Sequence, residues 1–395
     1  MSRISHKVDQ IKPSATLSVS ARAMELRAQG RDIVSLSAGE PDFDTPEHIR
    51  AAAIAAIEAG QTRYTQVDGT PELKAAIIEK LRRDNTLDFE PPQIIVSNGA
   101  KQSLYNLMVA SLNPDDEVIV PAPYWVSYPD MVKLADGQPA ILAGLPENDY
   151  KITARELENS LNENTRMLIL NSPSNPTGKV YTEEEYRELG DVLLEHPKVL
   201  VACDDIYEFI YWGRREFCTF LNACPEFADR CVVVNGVSKG YAMTGWRIGY
   251  LAGPEDLVTA MRKIQGQSTS CAGSVSQAAA TAALAGPQDC VHAMRRAFHE
   301  RYEYMHQALN ELPGVDCPEC DGAFYAFPTF QTVIDRMENI RDDVELAEWL
   351  LEEAGVATVP GSAFGAPGHL RLSYAAGMDY LREAIDRLRS ALQGL

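Results

Sequence analysis

The residue with the clearest potential for covalent chemistry is Lys239, which lies in the stretch from Cys231 to Tyr250. An apolar run, a turn of small residues that contains the lysine, and a second apolar run that carries Arg247 predict a strand, a loop and a strand. A lysine held between two buried elements loses hydration, which lowers its pKa and leaves a neutral amine able to form a Schiff base. The residues alone also allow a solvated surface lysine, because most lysines are exposed.

The elements that must position this lysine follow a regular pattern from residue 93 onward, in which a short apolar run is followed by a polar loop and a helix. This pattern predicts an α/β fold with a mainly parallel sheet wrapped by helices. Ligands bind beyond the carboxyl ends of the strands in such sheets, so the residues after each strand are candidate site residues. The predicted strands are Ile94–Val96, Val118–Val120, Met167–Leu170, Val199–Ala202 and the run that begins at Cys231.

Each predicted strand is followed by residues that can bind a ligand. Gly99, Ala100 and Lys101 open a helix, where free backbone N–H groups and the helix dipole favour an anion such as a phosphate. The next strand ends supply an aromatic ring, an amide, and a carboxylate with a phenol: Trp125, Asn175, Asp204 and Tyr207. A tryptophan in the core is an equally good interpretation of the aromatic ring.

Together these groups match what pyridoxal 5′-phosphate requires of a protein. The cofactor needs a lysine for its aldehyde, a carboxylate for its ring nitrogen, hydrogen bonds to its 3′ oxygen, a stacking aromatic ring and phosphate binders. Every requirement has a candidate among the strand ends, so the sequence predicts this cofactor.

Length and composition limit the function classes. A chain of 395 residues can form one large domain and a smaller one. A formal net charge of −20 and a pI near 4.8 disfavour nucleic acid as a partner. No apolar run approaches the roughly 20 residues needed to span a bilayer, and the first residues lack a hydrophobic signal core. We therefore expect a cytoplasmic protein that does not enter a membrane.

The eight cysteines are scattered, and only Cys317 and Cys320 are closely spaced. Half a zinc site or a redox pair would fit this spacing. Scattered reduced thiols are the simpler interpretation, so no metal site is expected.

A series of motifs between residues 13 and 374 resembles the class I, fold-type I pyridoxal phosphate aminotransferases, in particular the bacterial aspartate aminotransferase subgroup. The motifs are Pro13-Ser-Ala-Thr16, Ala38-Gly-Glu-Pro-Asp-Phe-Asp44, Asn98-Gly-Ala-Lys101, Pro123-Tyr-Trp-Val-Ser-Tyr128, Asn175-Pro-Thr-Gly178, Asp204-Asp-Ile-Tyr207, Ser238-Lys239 with Gly245-Trp-Arg-Ile-Gly249, and Arg371-Leu-Ser-Tyr374. The resemblance implies a large cofactor-binding domain over residues 46–290 and a small α+β domain from residues 1–45 and 291–395.

The resemblance also implies catalytic and cofactor-binding roles. Lys239 would bind the cofactor covalently and move the proton of the substrate Cα, and Asp204 would pair with the ring nitrogen. Tyr207 and Asn175 would contact the 3′ oxygen, and Trp125 would stack on the ring. Phosphate contacts would come from Gly99, Ala100, Lys101, Ser238 and Arg247, and from Tyr64 of a neighbouring subunit, which implies a homodimer. Many members carry a serine where this chain has Gly236, which leaves the role of Ser238 open.

Substrate recognition centres on Arg371. Its alternation with Leu370 and Leu372 predicts a strand that sends the arginine to the opposite face, where a surface salt bridge is one interpretation. The resemblance instead places it on the substrate α-carboxylate, a geometry that suits guanidinium. The other implied substrate contacts are Gly39, Thr16, Lys101, Trp125 and Asn175, with Thr16 and Lys101 associated with the distal carboxylate.

The resemblance therefore implies an aminotransferase that moves the amino group of aspartate or glutamate to a 2-oxo acid such as 2-oxoglutarate in a ping-pong cycle. Prephenate is an alternative acceptor. A pyridoxal phosphate-dependent β-lyase and a non-catalytic sensor with an aminotransferase-like fold are further alternatives. A nicotinamide dehydrogenase is disfavoured because no Gly-x-Gly-x-x-Gly follows a strand.

Overall fold

The computed structural model describes residues 3–393, which form a seven-stranded sheet covered by helices and two small sheets. The strands are β1 (Val34–Ser35), β2 (Ile94–Ser97), β3 (Glu117–Ala122), β4 (Gln138–Ala143), β5 (Thr165–Asn171), β6 (Leu200–Asp204), β7 (Cys231–Gly236), β8 (Gly249–Ala252), β9 (Tyr325–Ala326), β10 (Val356–Ala357), β11 (Val359–Pro360) and β12 (Leu370–Ser373). The α-helices are α1 (His6–Asp9), α2 (Ala15–Ala28), α3 (Glu47–Glu58), α4 (Pro71–Asn85), α5 (Ala100–Ser111), α6 (Tyr128–Leu134), α7 (Ala154–Ser160), α8 (Glu183–Leu194), α9 (Phe220–Ala223), α10 (Glu255–Ser268), α11 (Ser274–Ala285), α12 (Asp289–Asn310), α13 (Gln331–Arg336), α14 (Asp343–Trp349) and α15 (Met378–Ala391).

The large sheet has the strand order β2-β8-β7-β6-β5-β3-β4. Strand β8 runs antiparallel to both of its neighbours, and the other neighbouring pairs are parallel. The predicted mainly parallel sheet is therefore confirmed. Strand β4 was not predicted; it is the edge strand of the sheet, and its residues, including those of its short apolar run at 140–143, are exposed or half-buried.

Apolar strands explain why the sheet is covered on both faces. The residues of β7 are buried along the whole strand, as expected for a parallel sheet between two layers. One apolar core lies between the sheet and α3, α4, α8 and α11, and a second lies between the opposite face and α5, α6 and α10. The carboxyl edge of the sheet is thereby held rigidly between two packed layers.

A third core lies around the small sheets. Strands β11, β12 and β9 form an antiparallel sheet, and β1 pairs with β10 in parallel. Helices α12 and α15 cover these strands with side chains such as Phe298 and Ile385. Tyr207 and Ile210, from the loop after β6, belong to this core, so that loop joins the large sheet to the small sheets.

Helix α2 spans Ala15–Ala28, and its first turn carries Thr16. The Ser18 N–H donates to the Ser14 carbonyl oxygen at 2.9 Å and closes this turn. Gly30 follows the helix with a φ of 87°, the left-handed conformation that glycine adopts easily.

All eight cysteines are free thiols. Within residues 3–393, no helix is both long enough and apolar enough to cross a bilayer.

A buried ion pair fixes the loop that carries Tyr207. The amine of Lys80, on α4, is fully enclosed and pairs with the Glu208 carboxylate. Asn85 and Asn235 donate to the same carboxylate at 2.8 and 2.9 Å. These contacts satisfy the charge of Glu208 and tie the loop to α4 and β7.

Replacement of Lys80 by methionine should lower the free energy of unfolding by about 3–5 kcal/mol, because it leaves a buried carboxylate without its cation. Urea denaturation of the purified protein measures the loss. The matched control is Arg82→Met on the same helix, where the ion pair with Asp88 is exposed and its removal should leave the denaturation midpoint unchanged. Equal effects of the two substitutions would show that the buried pair does not fix this loop.

Candidate active site

The ends of three neighbouring strands bring the first site residues together. Asn171 at the end of β5 is the sheet partner of Asp204 at the end of β6, and Lys239 follows β7. The Asn171 amide donates to the Asp204 carbonyl oxygen at 2.8 Å, and its side-chain oxygen accepts from the Asn175 N–H at 2.9 Å. Asn171, which was not predicted, thus holds the turn that presents Asn175 beside the Asp204 strand.

Asp204 is a buried carboxylate with one strong hydrogen bond. The Tyr128 hydroxyl donates to its Oδ2 at 2.6 Å. Burial raises the pKa of Asp204 to about 6, and the hydrogen bond from Tyr128 opposes this rise. Trp125 packs edge-to-face on Tyr128, with the ring centroids 5.3 Å apart. No cationic side chain in the described part of the chain makes an ion pair with this carboxylate, so it has capacity for the cation of a ligand.

Lys239 lies in a partly buried loop, as predicted. Its amine donates to the Gly39 carbonyl oxygen and lies 5.7 Å from the ring centroid of Tyr207 and 5.8 Å from that of Phe324. Burial, and after it the positive charge of Arg371, lower the pKa of Lys239 to about 8. The neutral amine is consequently well populated near pH 8. The alternative of a solvated surface lysine is wrong.

Arg371 is buried in β12, with 2% of the residue exposed. One terminal nitrogen donates to the Asn175 side-chain oxygen at 3.0 Å, and the other donates to the Ser37 carbonyl oxygen at 2.8 Å. Its guanidinium makes no ion pair with any carboxylate among residues 3–393, and its Nε has no hydrogen-bond partner there. The interpretation of Arg371 as a surface arginine is therefore wrong.

Gly99, Ala100 and Arg247 form a cradle at the start of α5. A Cβ atom on Gly99, whose φ is 87°, would lie 2.4 Å from an Arg247 terminal nitrogen. A Cβ atom on Gly249 would lie 2.1 Å from the Ala100 nitrogen. Glycine at both positions lets these backbone and arginine groups approach closely, an arrangement that suits a phosphate. The Gly99 N–H, which was predicted to be free, donates to the Ser97 carbonyl oxygen at 2.8 Å, so the phosphate donors of the helix are the N–H groups of Ala100 and Lys101. Arg247 is exposed and precedes β8 instead of lying in the strand.

The backbone around Gly236 leaves no room for a side chain at this position. A Cβ atom there would lie 2.8 Å from the Ile248 carbonyl oxygen and 3.0 Å from the Gly249 Cα. Backbone atoms cannot easily move away, so a serine does not fit. Ser238 is buried beside Lys239, and its carbonyl oxygen accepts from the Met243 N–H at 3.2 Å.

The remaining predicted residues lie around this centre. The Lys101 amine lies 4.7 Å from the Trp125 ring centroid, and its pKa is lowered by burial and then by the charge of Arg247. Thr16 is half-buried in the first turn of α2. Tyr64 is 91% exposed and, within residues 3–393, has no hydrogen bond, ion pair or ring contact with another predicted site residue.

Two hydroxyl groups in the site were missed. Tyr128 contacts Asp204, and the Tyr325 hydroxyl lies 2.8 Å from that of Tyr207. Tyr128 follows Trp125 by three residues in the predicted aromatic strand end, which was a usable signal. Tyr325 comes from a distant segment that no strand-end argument reaches.

Comparisons with known proteins agree with this arrangement. The model of the family "Aminotransferase class I and II" matches residues 31–388. An aspartate/prephenate aminotransferase of Nitrosomonas europaea is 50% identical over 99% of this chain and 100% of its own length. An aspartate aminotransferase of Bacillus subtilis is 45% identical over 98% of both chains.

Solved structures show the same fold. The aspartate aminotransferase from Rhizobium meliloti superposes with a TM-score of 0.96 at 45% identity and covers 99% of each chain. The aspartate aminotransferase from Thermus thermophilus with maleate has a TM-score of 0.93 at 41% identity, over 99% of this chain and 100% of its own. The resemblance seen in the sequence motifs is thus confirmed. The chain belongs to the class I and II aminotransferases and has their fold-type I architecture.

Proposed function

We propose that the chain is a pyridoxal phosphate-dependent aminotransferase that uses aspartate or glutamate as amino donor and a 2-oxo acid such as 2-oxoglutarate as acceptor. The observation that carries the proposal is the presence of two cationic groups close together at one site. Lys239 donates to the Gly39 carbonyl and Arg371 to the Ser37 carbonyl, two residues apart in the chain. Neither finds a carboxylate partner within residues 3–393. A site with a low-pKa amine beside an unpaired guanidinium suits an amino acid and a carbonyl compound.

The residues present fit the cofactor. When bound, pyridoxal phosphate supplies an aldehyde and a ring that withdraws electrons from the substrate Cα. Asp204 would hold the protonated ring nitrogen, and this positive charge would compensate the cost of burying the Asp204 carboxylate. Tyr207 and Asn175 would contact the 3′ oxygen, and Trp125 would stack on the ring. The cradle of Gly99, Ala100 and Arg247 would hold the phosphate, with Lys101 and Ser238 as further contacts.

Lys239 is proposed as the residue that binds the cofactor and then transfers the proton. Its lowered pKa leaves a substantial fraction of neutral amine near pH 8, as a base for the Cα proton requires. The nearby rings of Tyr207 and Phe324 limit the water around this amine. A dry site keeps the proton with Lys239 between its removal and its return.

Arg371 is proposed to bind the substrate α-carboxylate through its two terminal nitrogens, with the Gly39 backbone beside it. Asn175, already bonded to Arg371, would support the same carboxylate, and Trp125 would border the substrate. Lys101 and Thr16 would meet the distal carboxylate of a dicarboxylic substrate. Maleate, with which the Thermus thermophilus enzyme was solved, is itself a dicarboxylate.

Prephenate is a second candidate acceptor. Two relatives named as aspartate/prephenate aminotransferases are 50% and 49% identical to this chain across their whole length. Prephenate also carries two carboxylates, so the same arginine and lysine would serve both acceptors.

We further propose a homodimer, a cytoplasmic location and the division into residues 46–290 and residues 1–45 with 291–395. Tyr64 protrudes with 91% of its surface exposed, and Ile54 and Ile57 are each 56% exposed, which suits a covered subunit face. Eight free thiols are typical of a reducing compartment. The separate cores around the large and small sheets support the division.

A panel of amino donors and acceptors tests the function. Aspartate and glutamate should react best with 2-oxoglutarate and oxaloacetate, with prephenate assayed beside them.

Lys239→Ala should lower turnover by about a thousandfold or more, because both the covalent attachment and the base are lost. Borohydride reduction followed by mass spectrometry should attach the cofactor to the wild-type protein and to the exposed-lysine control Lys263→Ala, but not to Lys239→Ala. An active Lys239→Ala enzyme would refute the mechanism.

Asp204 gives a pH-dependent prediction for the cofactor-free protein. Its pKa is about 6 in the folded chain against 3.8 ordinarily, so stability falls as the pH rises from about 4 to 6. Asp204→Asn should therefore be more stable than the wild type at pH 8, by up to about 3 kcal/mol, with a smaller gain at pH 5. Thermal unfolding at both pH values measures this, with the exposed Asp229→Asn as control. A pH-independent difference would contradict the buried charge.

Lys101 tests the choice of substrate. Lys101→Ala should lower kcat/KM for aspartate by about tenfold to a hundredfold, the value of a charge-assisted hydrogen bond. The same variant should change kcat/KM for alanine as donor by no more than about threefold. Lys133→Ala, a lysine paired with Asp130 on α6, is the control. Equal losses for both donors would remove Lys101 from the side-chain site.

A further inference from the structure

Tyr325 contacts three of the proposed site residues at once. Its hydroxyl lies 2.8 Å from the Tyr207 hydroxyl, and its ring centroid lies 4.5 Å from the guanidinium carbon of Arg371. A Cβ atom on Gly39 would lie 3.0 Å from the same hydroxyl, so glycine at that position leaves room for it. Tyr325 is 1% exposed, and water does not compete for these contacts.

The pairing of two strands also fixes the position of the Tyr325 side chain. Strand β9 carries Tyr325 and pairs with β12, in the register Ser373 to Tyr325 and Leu372 to Ala326. Arg371 is two residues from Ser373 along β12, so it lies diagonally across from Tyr325 on the same face. The two side chains therefore keep their relative position whenever this small sheet is intact.

The two hydroxyls share one hydrogen bond of 2.8 Å, in which either oxygen can be the donor. Burial raises the pKa of both phenols, and the positive charge of Arg371 opposes this rise at each of them. Each hydroxyl therefore keeps a proton that it can donate. When Tyr207 donates its proton to a ligand oxygen, Tyr325 is the donor within the pair.

We propose that Tyr325 is a positioning residue that couples Arg371 to Tyr207, through its ring and its hydroxyl respectively. The proposal rests on the function proposed above, and it assigns to one side chain two separable tasks. The ring holds the guanidinium for a substrate carboxylate. The hydroxyl holds the Tyr207 oxygen and directs the Tyr207 proton to the 3′ oxygen of the cofactor.

Two substitutions separate these tasks. Tyr325→Phe keeps the ring and removes the hydroxyl, and Tyr325→Leu removes both. The matched control is Tyr374→Phe, a fully buried tyrosine at the end of β12 whose hydroxyl contacts the Cys320 sulfur at 3.6 Å. Thermal unfolding of each variant shows whether it is folded before the other measurements are made.

The first measurement is the pH titration of the visible absorption of the cofactor-loaded protein, which reports how well the 3′ oxygen is hydrogen-bonded. In Tyr325→Phe the apparent pKa should rise by about half a unit or more, since the Tyr207 hydroxyl becomes a weaker donor. The KM for aspartate should change by no more than about threefold. Tyr374→Phe should match the wild type in both. An unchanged titration in folded Tyr325→Phe would overturn the role of the hydroxyl.

The second measurement uses the cofactor-free protein and the dicarboxylate maleate as probe. Maleate should raise the melting temperature of the wild type and of Tyr325→Phe, but should raise that of Tyr325→Leu much less, because a displaced guanidinium binds a carboxylate poorly. Equal shifts in all three proteins would overturn the role of the ring. This measurement needs no aminotransfer, so it judges Tyr325 even if the donor panel refutes the proposed function.

Discussion

The site depends on the burial of three charged groups that make no ion pair with an opposite charge among residues 3–393. The Asp204 carboxylate has a tyrosine as its partner, and Lys239 and Arg371 donate to backbone carbonyl oxygens. Removing ionised groups from water costs several kcal/mol each when no opposite charge compensates. The opposed shifts in pKa, upward for Asp204 and downward for Lys239, record that cost. A ligand with a cationic ring nitrogen, an aldehyde and a carboxylate would compensate all three.

Two packed parts of the chain hold these groups in place: the large sheet with its helices, and the core around the small sheets. They meet at the loop after β6. Asp204 ends a strand of the large sheet, and three residues later Tyr207 enters the core around the small sheets. The buried pair of Lys80 and Glu208 fixes the same loop from the other side. The site therefore forms only when both of these parts are folded. Arg371, on a strand of the small sheet, reaches across to Asn175, which follows a strand of the large sheet.

Much of the fold and the site could be predicted from the sequence, because parallel strands bring their carboxyl ends to one edge. That rule alone placed Asp204, Asn175 and Lys239 together. The alternation of Leu370, Arg371 and Leu372 indicated the strand, although it did not show that both faces are buried.

Other features depend on the pairing of distant segments, which periodicity does not encode. The contact of Tyr325 with Tyr207 joins positions 118 residues apart and depends on the register of β9. Tyr128 reaches Asp204 only because the turn after β3 lies beside the end of β6. The family resemblance implies that Tyr64 contacts the cofactor phosphate of a neighbouring subunit. The exposure of Tyr64 in a single chain is consistent with that proposal.

The most direct test of the central claim follows the donor half-reaction by itself. Protein loaded with pyridoxal phosphate is mixed with aspartate in the absence of any 2-oxo acid, and the products are measured over time. A single equivalent of oxaloacetate per active site should form and the reaction should stop, until added 2-oxoglutarate restarts it and releases glutamate. Continued release of pyruvate and ammonia, or no oxaloacetate at all, would contradict the account.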